Sequence, residues 1–392
     1  MFVRKLVSQI AERLSEPLRF MQIIIGPRQT GKTTAVVQAL DRMKMPHHFV
    51  SADEPGISQT EWLRNEWAQA RMLAKNGEAI LVVDEIQKIK DWSAIVKLLW
   101  DEDSRTRLPL KVILTGSSSL LLQKGLSESL MGRFEILFSP HWNYVECKEA
   151  FGYSLDDFLF FGGYPGAATL IKDEERWARY MGMSIIEPTI SQDILMMEEV
   201  RKPALLRSLF MLGSSYSSQE LSFTKMLGQL QDAGNTVTLA HYLDLLGKAN
   251  ILTGLQNYSG NQIRSRKSSP RFVVYDTSLL TYADGTSRRR LLDSPTERGR
   301  LVESAVGAYL LGRSKEDGFD VYWWRNRSDE VDFVIKKGSQ LTAIEVKSGR
   351  IKNVGGSLVF KKHYPEALSL VVGSANCGLE GFLSGEKALF AH

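Results

Sequence analysis

Short apolar runs alternate with stretches whose apolar residues repeat at helical spacing through the first third of the chain. The helical stretches include Ala35–Met43 and Ala94–Trp100, in which Ile95, Leu98 and Leu99 share one face. Alternating strands and helices favour an α/β fold with a parallel sheet, which binds ligands at the carboxyl ends of its strands. The predicted strands are Phe20–Ile25, His47–Ala52, Ile80–Glu85, Lys111–Thr115 and Phe134–Phe138.

The first predicted strand leads directly into a glycine-rich segment that is followed by a helix. The spacing GxxxxGKT between a strand and a helix is typical of a phosphate-binding loop. Backbone N–H groups of such a loop and the helix N-terminus surround the phosphates of a nucleotide. We expect Lys32 to reach the β- and γ-phosphates and the Thr33 hydroxyl to bind Mg²⁺. The segment consists of Gly26, Pro27, Arg28, Gln29, Thr30, Gly31, Lys32, Thr33 and Thr34.

Polar residues stand at the ends of the later strands. Asp84 and Glu85 end an apolar run, where Asp84 would hold Mg²⁺ through water and Glu85 would polarise an attacking water. Either Thr115 or Ser117 could sense the γ-phosphate at the end of the fourth strand. Arg133, just before the fifth strand, could stabilise the transferring phosphoryl group in its own subunit or in a neighbour. The alternative for Arg133 is an ordinary surface cation.

These motifs are similar to those of the AAA-type ATPases, in particular a prokaryotic branch with a C-terminal nuclease-like domain. The resemblance implies ATP at Gly26–Thr34, Mg²⁺ at Thr33 and Asp84, catalysis by Glu85, and Arg133 as an arginine finger. It is carried by the segments GPRQTGKTT, ILVVDE, ILTGSSS, GRFEILFSP and FGGYPG.

The middle of the chain contains a Gly- and Pro-rich segment, three short helical patterns and a hairpin. Phe161–Gly166 predicts a joint between two units. From Ala204 to Tyr258 the pattern favours a winged helix, whose third helix begins near Asn235. That helix lacks the arginines common in helices that contact bases, so domain packing is the alternative to DNA recognition.

A helix and a hairpin near the C-terminus bring acidic residues together. The sequence Ser294–Glu297 starts a helix that carries Glu303. A two-residue turn at Gly338–Ser339 sets a hairpin register in which Asp332 lies opposite Glu345. Directly opposed carboxylates destabilise a hairpin by up to about 1 kcal/mol. A divalent cation such as Mg²⁺ or Mn²⁺ would turn this repulsion into a binding site.

The same register pairs Glu330 with Lys347. We expect Lys347 to orient or activate a water and Glu303 to complete a metal shell with the two opposed carboxylates. The arrangement resembles the PD-(D/E)XK nucleases, in which Asp332, Glu345 and Lys347 would form the catalytic triad. The resemblance implies an α/β nuclease-like domain that either retains cleavage or serves as a module for DNA or protein binding.

Composition and charge narrow the class of protein. A net charge of +4 is too small to indicate nucleic-acid binding by itself. The excess is local, because residues 257–300 hold nine basic and four acidic residues, as a solvated loop or a surface for DNA phosphates. Two cysteines cannot build a disulfide framework, and no run approaches the ~18 apolar residues of a membrane span. A cytoplasmic location is the simplest expectation.

We therefore predict a P-loop ATPase sheet, a helical and winged-helix region, and a C-terminal PD-(D/E)XK nuclease-like domain. The expected bounds are 1–150 for the ATPase domain, 151–260 for the helical and winged-helix domain, 261–293 for a basic connecting segment and 294–392 for the nuclease-like domain. ATP hydrolysis would gate engagement of DNA by the last domain. One alternative is a nucleotide-dependent switch whose C-terminal domain only binds a protein partner; another is a small-molecule kinase. An arginine finger acting between subunits would require a homo-oligomer.

Overall fold

The computed structural model describes residues 2–53, 59–117, 130–195, 200–231, 234–259, 269–348 and 355–391. The chain divides into two compact units, Met1–Pro140 and His141–His392. None of the described helices combines the length and the apolar character needed to span a bilayer.

The first unit is a parallel sheet covered by helices on both faces. Its helices are Lys5–Ser15 (α1), Lys32–Met43 (α2), Gln59–Ala74 (α3) and Trp92–Thr106 (α4). Its strands are Met21–Gly26 (β1), His47–Ser51 (β2), Ala79–Asp84 (β3), Leu110–Ser117 (β4) and Phe134–Phe138 (β5). The strand order is β2-β3-β4-β1-β5, with every neighbouring pair parallel. The five strands and two helices predicted from the sequence are confirmed, with small shifts at their ends.

The central strands of this sheet are buried along their whole length. On β1, Ile23 and Ile25 pack on the side of α3 and α4, whereas Ile24 packs on the side of α1 and α2. A strand covered on both faces needs a continuous apolar sequence, which β1 and β3 provide up to Asp84. The first polar side chains therefore appear at the carboxyl edge of the sheet, where β1 and β4 are neighbours.

The second unit begins with helices and contains two further sheets. Its strands are Leu252–Leu255 (β6), Arg271–Val274 (β7), Asp320–Asn326 (β8), Asp329–Lys337 (β9), Gln340–Val346 (β10) and Leu368–Val372 (β11). Strands β6 and β7 form an antiparallel pair. The other sheet has the order β11-β10-β9-β8, in which β10 and β11 are parallel and the remaining pairs are antiparallel.

The described helices of the second unit surround these sheets in chain order. Two π-helical stretches, Met181–Ile186 and Thr189–Ile194, follow α7. The helices are Tyr144–Phe151 (α5), Leu155–Phe161 (α6), Glu174–Tyr180 (α7), Pro203–Ser215 (α8), Phe223–Leu227 (α9), Thr236–Lys248 (α10), Thr277–Asp284 (α11), Arg288–Asp293 (α12), Pro295–Asp317 (α13), Gly355–His363 (α14) and Leu379–Leu383 (α15).

Helix starts predicted from capping residues are confirmed. The Asn235 side chain accepts a hydrogen bond from the Thr238 N–H at the start of α10. The Ser294 hydroxyl accepts one from the Glu297 N–H at the start of α13. The order α8, α9, α10, β6, β7 follows the predicted three helices and hairpin, although the tip of the hairpin, residues 260–268, lies outside the described residues.

The register of the C-terminal hairpin is confirmed, because Lys337 pairs with Gln340 and Phe333 with Ile344. The predicted pair of Glu330 and Lys347 is wrong. Strand β10 ends at Val346, and Glu330 instead pairs with a residue of β8 in the neighbouring ladder.

The predicted joint at Gly162–Gly163 is also wrong as a hinge. The Gly163 N–H donates to a carboxylate oxygen of buried Asp276 at 2.7 Å, and the Gly163 carbonyl accepts from the Trp142 N–H. A Cβ atom at either glycine would collide with Asp276 or with the Trp142 backbone. These glycines permit close packing between segments, which fixes their conformation.

Candidate nucleotide site and a buried acidic cluster

The glycine-rich loop joins β1 to α2 at the carboxyl edge of the first sheet. Gly31 has a φ of +82° as the residue that precedes α2, and Gln29 has a φ of +60°. A left-handed conformation is uncommon for a residue with a side chain, and such residues concentrate at ligand-binding loops. The loop therefore has the tight turn that directs backbone N–H groups and the α2 N-terminus toward one point.

Lys32 lies folded against this loop. Its Nζ donates to the carbonyl oxygens of Gly26 and Pro27 at 3.0 and 2.8 Å. The side chain is largely buried, so its ammonium group is held beside the loop and outside bulk water. Thr33 and Thr34, which follow it, are exposed at the surface of the loop.

Asp84 lies at the end of β3 and connects the loop to β4. Its Oδ2 accepts a hydrogen bond from the Thr33 hydroxyl at 2.9 Å, and its Oδ1 accepts one from the Thr115 hydroxyl. Thr115 is fully buried, so its hydroxyl has a fixed orientation. Among the described residues, the partners of this carboxylate are hydroxyl and N–H groups, so its negative charge faces no protein cation.

The sequence left Thr115 and Ser117 as alternatives at the end of β4. The structure brings Thr115 into contact with Asp84. The side chain of Ser117 lies outside the described residues.

Glu85 directly follows Asp84 in a left-handed conformation with a φ of +53°. Its N–H donates to Asp84 Oδ1 at 3.2 Å, and its carboxylate accepts a hydrogen bond from the Gln87 side chain. The turn separates the two carboxylates, so that one is held by β4 and the other is held by the segment after β3. Such backbone strain is consistent with a functional position.

Arg133 does not lie at this edge of the sheet. Its carbonyl accepts from the Met21 N–H, at the amino end of β1, whereas the loop follows Gly26 at the carboxyl end. Five steps along a strand span roughly 17 Å. The guanidinium is held by both carboxylate oxygens of Asp101 on α4, at 2.7 and 3.0 Å. The expectation that Arg133 acts within its own subunit is therefore wrong, because the sheet separates it from the loop.

A residue that sequence reasoning missed supports the loop from below. Arg4 is buried and donates to the Thr30 carbonyl at 2.9 Å, to the Ser139 hydroxyl at 3.1 Å and to the Pro140 carbonyl at 3.2 Å. Ser139 also packs so closely on Gly26 that a Cβ atom there would collide with its backbone. No local pattern announces Arg4, because its partners lie 26 to 136 residues away.

In the second unit, carboxylates from α13 and β9 surround Arg271, the first residue of β7. The guanidinium forms ion pairs with Glu303 and Glu330, and its Nη2 lies 3.5 Å from Asp332 Oδ1. Arg271 is 5% exposed. Burial raises the pKa of Glu303 to about 8 despite the charge of Arg271, and burial also raises the pKa of Asp332. Three carboxylates thus share one internal cation.

Glu345 and Lys347 have separate partners. Glu345 Oε1 accepts hydrogen bonds from the N–H and the hydroxyl of Ser357 on α14, both at 2.6 Å, and its Oε2 lies 3.1 Å from Lys347 Nζ. Asp332 Oδ2 accepts the Val346 N–H at 2.7 Å. Within the part of the chain that the structure describes, no three His, Cys, Asp or Glu side chains form a group that could hold a metal ion. The predicted metal shell of Glu303, Asp332 and Glu345 is therefore not assembled.

The basic segment 257–300 is largely neutralised within the second unit. Arg289 and Arg290 are exposed on α12, and Arg264, Arg266 and Lys267 lie outside the described residues. Four further arginines pair with carboxylates: Arg271 as above, Arg288 with Asp157, Arg298 with Asp156 and Arg300 with Glu297. The expectation of a phosphate-binding surface is wrong for these four, because their charge is compensated inside the protein.

Comparisons with known proteins agree with the first unit. Residues 19–147 match the family model of an AAA domain (AAA_14). Residues 152–290 match a domain of unknown function (DUF8612), and residues 298–377 match another (DUF4143).

Full-length relatives extend over most of the chain. Uncharacterized protein Rv2008c of Mycobacterium tuberculosis is 25% identical over 352 residues, which cover 89% of this chain and 75% of that protein. Uncharacterized protein MJ1544 of Methanocaldococcus jannaschii is 25% identical over 342 residues, covering 80% of this chain and 72% of that protein.

Solved structures give weaker likenesses. The Aeropyrum pernix ORC1 protein in complex with DNA matches with a TM-score of 0.32 and 12% identity, covering 71% of this chain and 91% of that chain. AMPPCP-bound DnaA from Aquifex aeolicus matches with a TM-score of 0.34 and 17% identity, covering 63% and 90%. The family match and the parallel sheet with its glycine-rich loop together identify the first third of the chain as an AAA-type P-loop ATPase domain.

Proposed function

We propose that this chain binds and hydrolyses ATP at the carboxyl edge of β1, β3 and β4, and that the nucleotide state controls a C-terminal output domain. The observation that carries the proposal is the position of Asp84. Its two oxygens are fixed by hydroxyls from the loop and from β4, and no protein cation neutralises it. A carboxylate that is oriented but not neutralised suits a divalent cation beside phosphates.

The residues of this edge fit MgATP. The Thr33 hydroxyl and the Asp84 carboxylate would hold Mg²⁺, which bridges the β- and γ-phosphate oxygens and offsets the charge that develops during transfer. The ammonium of Lys32 would exchange the carbonyls of Gly26 and Pro27 for phosphate oxygens. Glu85 would orient the attacking water and accept its proton. Thr115 would keep Asp84 in place during these steps.

Substitution of Glu85 tests hydrolysis separately from binding. Glu85→Gln is expected to bind a fluorescent ATP analogue as wild type does and to release phosphate at least 100-fold more slowly. Lys32→Ala should weaken analogue binding as well. Glu61→Gln, an exposed carboxylate on α3, is the matched control and should leave both measurements unchanged. Phosphate release by Lys32→Ala at the wild-type rate would exclude this site as the ATPase.

For the rest of the chain we propose a helical and winged-helix domain at 151–260, a basic connecting segment at 261–293 and a nuclease-like domain at 294–392. DNA is one candidate for what the C-terminal domain engages in the cytoplasm. A protein partner is the second candidate, and the compensation of Arg271, Arg288, Arg298 and Arg300 by carboxylates favours it, because DNA phosphates need uncompensated cations.

The two candidates differ in their response to salt. Association with single-stranded, double-stranded or branched DNA should weaken steeply between 50 and 200 mM salt if phosphates are bound. Affinity that changes little with salt, or no association with any of these DNAs, would favour the protein partner. Each measurement is made with ATP and with ADP, since the proposed control predicts a difference between the two.

A further inference from the structure

Arg271 occupies the centre of the cluster in which a nuclease would hold its cation. It begins β7, where it pairs with Leu255 of β6, and it forms an isolated bridge with Glu220. Two ordered backbone partners fix its position. Its side chain then points into the protein, where it is among the most buried charged groups of this unit.

The guanidinium satisfies acidic groups from two different elements. Nη2 pairs with Glu303 of α13, and Nη1 pairs with Glu330 of β9. Asp332, one turn of the pleat beyond Glu330, lies 3.5 Å from Nη2. On its outer side the guanidinium faces the Trp323 ring, with 6.0 Å from Cζ to the ring centroid.

The residues present do not fit a divalent metal ion. Mg²⁺ requires near-octahedral oxygen ligands at about 2.1 Å. Here, one oxygen of Asp332 accepts a backbone N–H, one oxygen of Glu345 accepts two hydrogen bonds from Ser357, and its other oxygen faces Lys347. The remaining oxygens of Glu303 and Asp332 face Arg271. A cation placed among them would meet a positive charge that it could not displace without unpairing a buried arginine.

We propose that the Arg271 guanidinium is the built-in cation of this cluster and excludes a divalent metal ion from the C-terminal domain. The nuclease-like domain is then a metal-independent binding module, and its carboxylates clamp β7 onto α13 and β9. This inference goes beyond the proposed ATPase function and does not depend on it, because every contact that carries it lies within residues 271–357 of the second unit.

Titration with Mn²⁺ alone, followed by the loss of the electron paramagnetic resonance signal of the unbound ion, tests the proposal on the full chain. All proteins carry Asp84→Asn, which removes the carboxylate proposed to hold metal in the ATPase domain. With Arg271 intact, no Mn²⁺ should bind in the cluster, and Glu303→Gln should therefore change nothing. Arg271→Gln should gain about one bound Mn²⁺ per chain, and adding Glu303→Gln should abolish the gain.

The matched control is Arg298→Gln, which breaks an arginine–carboxylate pair on α13 with Asp156 and should gain no Mn²⁺. Mn²⁺ bound with Arg271 intact and lost in Glu303→Gln would overturn the proposal. So would an Arg271→Gln protein that melts cooperatively yet binds no Mn²⁺. The measurement with Arg271 intact decides the question even if Arg271→Gln does not fold. An ATPase that fails the Lys32 test would leave these outcomes unaffected, so the two proposals fail separately.

Discussion

Asp84 and Asp332 are both carboxylates at the ends of apolar strands, but the protein treats their charges in opposite ways. Asp84 is oriented by the Thr33 and Thr115 hydroxyls and faces no protein cation among the described residues. Asp332 shares Arg271 with Glu303 and Glu330. A carboxylate held by neutral donors remains available to a ligand cation, whereas one held by a buried arginine is committed to the fold. The comparison separates a binding site from a structural clamp.

The largest expected effect is loss of the clamp. Arg271→Ala should lower the free energy of unfolding of its unit by about 3–5 kcal/mol, because it leaves buried carboxylates uncompensated. Chemical denaturation followed by tryptophan fluorescence measures this change. Arg298→Ala, whose pair with Asp156 is partly exposed, should cost less than about 1 kcal/mol. Equal losses in the two variants would contradict the distinction between a buried clamp and a surface pair.

The next effect concerns the orientation of Asp84. Thr115→Val keeps the shape of the side chain but removes the hydroxyl that holds Oδ1. Loss of a group that orients a metal ligand typically weakens metal binding about 10–100-fold. Steady-state ATP hydrolysis at varied Mg²⁺ should therefore show a higher Mg²⁺ requirement, with the maximal rate less affected. An unchanged Mg²⁺ dependence would mean that the β4 threonine does not position Asp84.

A smaller effect follows from the pKa of Glu303, which burial raises to about 8 from an ordinary value near 4.5. Between these values the folded chain binds more protons at this group than the unfolded chain does. Stability from this group is therefore full at low pH and is lost as the pH rises toward about 8, by at most about 1.4 kcal/mol per pH unit. Denaturation of wild type and Glu303→Gln at several pH values should show this slope only in wild type.

The smallest effect on a single subunit is expected from Arg133. Its partly exposed pair with Asp101 contributes no more than about 1 kcal/mol to stability. Because the sheet separates it from the loop, Arg133→Ala should leave ATP hydrolysis unchanged at protein concentrations where the chain is monomeric. A loss that grows with protein concentration would indicate a finger acting between subunits. A loss of the same size at every concentration would contradict the position described here.

The sheet was predictable because its evidence is local. A strand covered on both faces, such as β3, needs an uninterrupted apolar run, so Ile80–Val83 and the acids that follow can be recognised without knowing their neighbours. The turn at Gly338–Ser339 likewise determines the hairpin register, because a short turn leaves no freedom in pairing. Helix caps at Asn235 and Ser294 act within three residues.

The partners of the charged residues were not predictable in this way. Counting arginines between residues 257 and 300 could not show that Arg271 is buried among carboxylates 32 to 61 residues further along the chain. Arg4 gave no signal for the same reason, and Gly162–Gly163 has the composition of a joint although Asp276 locks it. In each case the deciding contact is distant in sequence.

The amino-acid sequence by itself determined the parallel sheet, the phosphate loop and the register that opposes Asp332 and Glu345, since each follows from backbone geometry and the spacing of side chains over a few residues. Only the tertiary structure decided which charges are compensated. Electrostatic energy depends on distance and burial, and both are set by how β7, α13 and β9 come together, so one carboxylate faces the nucleotide loop while another is closed by Arg271.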